Sequence, residues 1–106
     1  MKKNVKIIHP GEVLHELYLI PLGISASTLS KKILVPRTRI ERFLRGVTSV
    51  STDTAIRLAR IFGTTPEYWL NMQRAFDLAH VKNIIDVSKI EPLNAAERKE
   101  LSIKKL

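Results

Sequence analysis

Arginine stands at positions 37, 39, 42 and 45 of this chain, in the run RTRIERFLR. Its guanidinium is planar and permanently charged, and can donate two parallel hydrogen bonds to guanine O6 and N7 or clamp a phosphate. Wound at about 100° per residue, the run places Ile40, Phe43 and Leu44 on one face. Thr38, Glu41, Arg42 and Arg45 fall on the opposite face, with Arg37 and Arg39 on its flanks. A helix that is apolar behind and basic in front suits the major groove of DNA, where residues nearest its N-terminus reach base edges. Arg37, Thr38 and Arg42 are therefore the candidates for base contacts, and Arg39 and Arg45 for phosphates. The plainer reading is a solvated face in which Glu41 pairs with Arg37 or Arg45.

The elements that must position these arginines favour the first reading. Immediately upstream, Ala26, Leu29 and Ile33 recur at i, i+3 and i+7, opposite Ser27, Ser30, Lys31 and Lys32, so a second amphipathic helix precedes the basic one. Ser25 is a good N-cap for it, and Ser25, Ser27 and Thr28 put hydroxyls and amide groups where a phosphate could sit. Leu34, Val35 and Pro36 form the turn, and Pro36 suits a helix start because its missing amide hydrogen costs nothing there. Two helices joined by a turn of this length form a helix-turn-helix.

The whole chain agrees with a polyanionic partner. Its 106 residues make one domain with a modest core, and the formal charge of +8 points to nucleic acid or an acidic protein surface. There is no cysteine, hence no disulfide framework and no cysteine-ligated zinc. His9, His15 and His80 form no ligand pair at helical spacing and read as cap and surface residues, so neither metal nor cofactor is expected. The apolar run in MKKNVKII is too short for a signal sequence, and no stretch reaches membrane-spanning length. A cytoplasmic protein is expected. An enzyme is not, because no carboxylate, histidine and arginine gather on one expected surface.

In order, residues 1–8 read as a flexible basic arm, 9–80 as the helical domain and 81–106 as a C-terminal extension. HPGE at 9–12 starts a first helix with Pro10 in its first turn and Glu12 toward the positive end of the dipole; Val13, Leu14, Leu17 and Tyr18 form its buried face, and Pro21 and Gly23 stop it. Gly46 ends the basic helix, and the loop VTSV that follows either carries hydroxyls that meet the DNA backbone or is merely polar. Ser51 caps a fourth helix with Ala55, Leu58, Ala59 and Phe62 inward and Asp53 paired with Arg57 outside; Gly63 closes it. Thr65, Pro66 and Glu67 start a fifth. Its apolar residues, Tyr68, Trp69, Leu70, Met72, Ala75, Phe76, Leu78 and Ala79, wrap further round than one core face needs. A homodimer seam through Trp69, Met72, Gln73, Phe76 and Ala79 is the simplest use of the excess, since a two-fold sets two reading helices about 34 Å apart. The alternative is that these residues only cover the monomer's own core. From Val81 the β-branched residues alternate weakly, and Asn94 with Glu97 allows a capping box for a short basic helix ending at Leu106; the extension reads as a strand that pairs on dimerisation, a peptide that lies on a partner, or a disordered, frayed end.

HPGE at 9–12, IPLG at 20–23, LVPRTRIERFLRG at 34–46, TDTAIRLARIFGTTPEYWLNMQ at 52–73 and then Phe76, Asp77 and Leu78 resemble, in this order, the HigA-type antitoxins, also called virulence-associated protein I, of the Xre class. The likeness covers His9 to Ala79, and the block at 52–73 is its most specific part. It implies an all-α, five-helix, phage-repressor-like helix-turn-helix domain, usually dimeric. Such proteins repress their own toxin-antitoxin operon by binding double-stranded operator DNA and neutralise a small ribosome-dependent RNase toxin of the HigB type. Leu34 and Thr38 depart from the Gly and Asn common in the family, which bears on the turn's geometry and on base preference. A stand-alone Xre-type repressor without a toxin is the alternative, and it would keep the same DNA surface.

Overall fold

His9, Ser25, Ser51 and Thr65 each begin a helix by accepting a backbone N–H through the side chain, at 2.9 Å from Gly11 and 3.1 Å from each of Thr28, Thr54 and Tyr68. These bonds satisfy amide groups that a helix leaves unpaired at its start. At the other ends, Gly23, Gly46 and Gly63 take left-handed φ values of 67°, 74° and 71°, the conformation that lets the chain turn away from a finished helix. The computed structural model describes residues 7–82 and 84–104. Most of the basic arm, residues 1–6, lies outside the described residues.

Six helices result, and no strand occurs among the described residues. Helix α1 covers residues 10–22, α2 Ala26–Lys32, α3 Arg37–Leu44, α4 Thr52–Phe62, α5 Pro66–Val81 and α6 Ala95–Lys104. α2 packs on α3, α4 on α5, and α1 lies across both α3 and α5. Leu14, Leu29, Ile40, Phe43, Leu58 and Trp69 fill the space between them. The family fold expected from the sequence is present: five helices around one core, with a short extension beyond.

The first helix departs from its expected face. Its middle, Leu14–Leu19, is π-helical, and the Ile20 amide donates to the His15 carbonyl, five residues back. The wider turn puts residues five apart on one side, so Leu19 joins Leu14 in the core while Leu17 is 64% exposed. Pro21 has no amide to give and its ring crowds the preceding turn, a recognised cause of such a widening. The helix continues through it to Leu22 and stops only at Gly23.

Among the described residues the extension holds α6 but no strand: the weak alternation after Val81 leaves Ile84, Ile85, Val87 and Ile90 exposed. Asn94 and Glu97 do form a reciprocal capping box, each side chain accepting the other's amide at 2.9 Å.

Candidate nucleic-acid interface

Ile40 and Phe43 anchor α3 in the core, which turns Arg37, Thr38, Arg42 and Arg45 to solvent on its outer side. Behind this helix the packing leaves no slack. A Cβ on Gly11 would stand 1.9 Å from the Phe43 carbonyl oxygen, so the start of α1 and the end of α3 touch through backbone. His9 completes the joint. Its ring meets Phe43 at 5.5 Å and Phe76 at 5.0 Å, tying α1, α3 and α5 together. Burial holds the imidazole pKa below its ordinary value, against the opposing pull of a Thr48 backbone hydrogen bond and the charges of Asp77 and Glu12.

Within the front face the arginines differ. Arg37 pairs with Glu41 at 3.1 Å, an exposed i,i+4 contact easily exchanged for another acceptor. Arg42 and Arg45 make no ion pair among the described residues. Arg39 turns away from the face: its Nη1 donates to Asp53 Oδ2 in the first turn of α4, with Thr54 Oγ1 at 3.4 Å. Asp53 also accepts from Arg57 Nε, at 3.1 Å on each carboxylate oxygen. Arg39 first and Arg57 second hold the Asp53 carboxyl below the usual carboxylate range. The pairing of Asp53 with Arg57 is legible in sequence as an i,i+4 spacing; that with Arg39, 14 residues away, arises only from the packing of α3 beside α4.

The turn between α2 and α3 keeps its geometry despite Leu34, which takes φ +62° with 80% of its surface exposed. Such a conformation costs a side-chain-bearing residue roughly 1–2 kcal/mol. Arg57 Nη1 braces it, donating to the Ile33 carbonyl at 2.8 Å and lying 3.4 Å from that of Leu34. Val35 N also returns to the Ser30 carbonyl at 3.0 Å. Ahead of the turn, Ser25 is exposed and Ser27 and Thr28 are half-buried at the start of α2. Ser30, expected on the polar side, is buried with its hydroxyl donated to the Ser27 carbonyl at 2.8 Å.

The seam expected along α5 needs correction. Trp69 is 0% exposed, with its Nε1 donated to Thr64 Oγ1 at 2.9 Å, and so belongs to the monomer's own core. Gln73 is buried too: its Oε1 accepts from Val50 N at 2.9 Å and its Nε2 donates to Asp77 at 3.0 Å. Met72 packs partly against the core and Phe76 is half-covered. Only Ala79, of the five, lies open, beside the exposed Leu78 and Val81. Tyr18 of α1 and Phe62 of α4 close over Trp69, and the loop at Val50 covers Gln73, a tertiary fact that periodicity does not carry.

A five-helix core that presents a basic second helix after a braced turn defines a helix-turn-helix DNA-binding protein. The helix-turn-helix family model HTH_3 matches residues 14–69, and the chain belongs to this family, in the Xre class that includes virulence-associated protein I and the HigA antitoxins. Virulence-associated protein I of Dichelobacter nodosus is 47% identical over 77 residues, covering 73% of this chain and 71% of that protein. Antitoxin HigA-1 of Vibrio cholerae is 37% identical over 82 residues, 77% of each chain. Antitoxin GraA, solved in complex with its operator, superposes with a TM-score of 0.74 at 36% identity, covering 90% of this chain and 99% of that one. The protein is thus a DNA-binding protein of the helix-turn-helix family. None of its helices, among the described residues, is long and apolar enough to cross a membrane.

Proposed function

We propose that this protein is a cytoplasmic antitoxin that represses its own operon as a homodimer and neutralises a small RNase toxin of the HigB type encoded beside it. The observation that carries the DNA half is the outer face of α3, where Arg42 and Arg45 make no ion pair among the described residues and Arg37 pairs with an exposed glutamate. In this reading Arg37, Thr38 and Arg42 meet base edges, while Arg45 and the Ser25, Ser27 and Thr28 group meet phosphates. The similarity to an operator-bound antitoxin supports it.

The dimer half rests on the open end of α5. Ala79, Leu78 and Val81, with part of Phe76, leave an apolar strip that continues into a groove of about 830 Å³ lined by Leu70, Ile85 and Val87. Two-fold pairing there would cover apolar surface and space two α3 helices for successive grooves. The toxin half rests on the antitoxin relatives alone.

Co-expression with the product of the adjacent small reading frame, tagged on that product only, tests the proposal. A stoichiometric complex that shifts the DNA upstream of the pair is the expected result. If the neighbour elutes alone while this protein still binds that DNA, the stand-alone repressor is the correct account.

A further inference from the structure

Asp53 is an acid at the edge of a face that meets a polyanion, where a bare carboxylate would oppose binding. It is not bare. Arg39 from α3 and Arg57 from its own helix both donate to it, and Arg57 reaches on to the carbonyl of Ile33 in the turn. One carboxylate thus joins the reading helix, the turn before it and the helix after it. The three side chains together carry one net positive charge where two arginines alone would carry two.

We propose that Asp53 is a positioning and selectivity residue: it holds Arg39 against α4, away from DNA phosphates, and so lowers affinity for DNA of unrelated sequence. Arg39 is partly exposed and sits on the flank of the reading face, so a released guanidinium reaches solvent on the DNA side. Each phosphate contact adds about 0.9 to the slope of log K against log salt. On unrelated DNA the protein can slide until an added cation finds its best phosphate. On the operator the base contacts fix the register, so the same cation gains less. The restraint therefore widens the gap between the two. This inference rests on the reading of α3 as the DNA-contacting helix.

The test measures salt-dependent binding of full-length protein to two duplexes of equal length, one from upstream of its own reading frame and one of random sequence. Arg39→Gln is expected to leave the salt slope of both unchanged, because Arg39 makes no phosphate contact to lose. Asp53→Asn is expected to steepen the slope on the random duplex by about 0.9 and to raise affinity there about five- to tenfold at 0.1 M salt. The double variant Arg39→Gln, Asp53→Asn should return to the wild-type slope, which a merely structural role for Asp53 would not produce. Thermal unfolding of each variant checks the fold; should Asp53→Asn fail to fold, Arg39→Gln decides alone, since its side chain is partly exposed. A slope that falls by one unit in Arg39→Gln, or one unchanged in a folded Asp53→Asn, overturns the proposal. If the wild-type protein binds neither duplex, or its binding survives loss of both Arg42 and Arg45, the reading of α3 itself fails, and this inference with it.

Discussion

At the scale of single residues, two kinds of arginine contact should separate experimentally. Arg42→Ala is expected to cost about 1–3 kcal/mol on the preferred site and to relax base preference at one position. Arg45→Ala should weaken every sequence alike and flatten the salt slope by about one unit. Identical behaviour of the two variants would show that base and phosphate roles are misassigned. His9 supplies a second prediction. Burial favours its neutral form in the folded protein, so the unfolded chain binds more protons below the ordinary histidine pKa. Stability is then fully present above about pH 6.5 and declines as pH falls toward the lowered folded value. Protonation would also remove the Nδ1 lone pair that caps Gly11. Urea unfolding between pH 7.5 and 5 should show this decline, and His9→Asn, which keeps a capping oxygen without titrating, should remove most of it.

At the scale of elements, the turn before α3 holds strain that a substitution can release. Leu34→Gly relieves a left-handed side chain and loses little burial, while glycine gives back some chain entropy. A net gain of about 0.5–1 kcal/mol is expected, read as a higher urea midpoint with an unchanged m value. A lower midpoint would mean that the exposed leucine makes a stabilising contact. The helices themselves were legible in sequence because their signals are local: Ser25, Ser51 and Thr65 cap, and Gly23, Gly46 and Gly63 end them, as expected from position alone. The inward face of α1 was not. An assumption of 3.6 residues per turn selects Leu17, whereas the π-helical stretch selects Leu19. Nothing in the apolar pattern shows the change of period; Pro21 is the available sign, and the helix runs through it rather than stopping there.

At the scale of the molecule, the choice of test residue for dimerisation follows from burial. Trp69→Ala would leave a core cavity costing about 3–5 kcal/mol and would report on folding rather than assembly. Leu78→Asp with Ala79→Glu alters two exposed positions, so the thermal midpoint should hold while sedimentation shows monomer. Operator affinity should then fall at least about a hundredfold, because two linked half-site contacts become one. A monomeric variant with wild-type affinity would remove the dimer from the proposal.

By itself the sequence determined the helical class, the caps, the order of elements and which arginines share the outer face of α3, since each depends on neighbours within about one or two helical turns. The resemblance of whole blocks added the family. Tertiary structure alone decided that Trp69 and Gln73 are interior, that Leu19 replaces Leu17, that His9 joins three helices and that Arg39 is held by Asp53. In the case of Arg39 the reason is plain. Its side chain lies on the flank of α3, where periodicity allows it to face either DNA or α4, and only the packing of α3 beside α4 brings a carboxylate within reach.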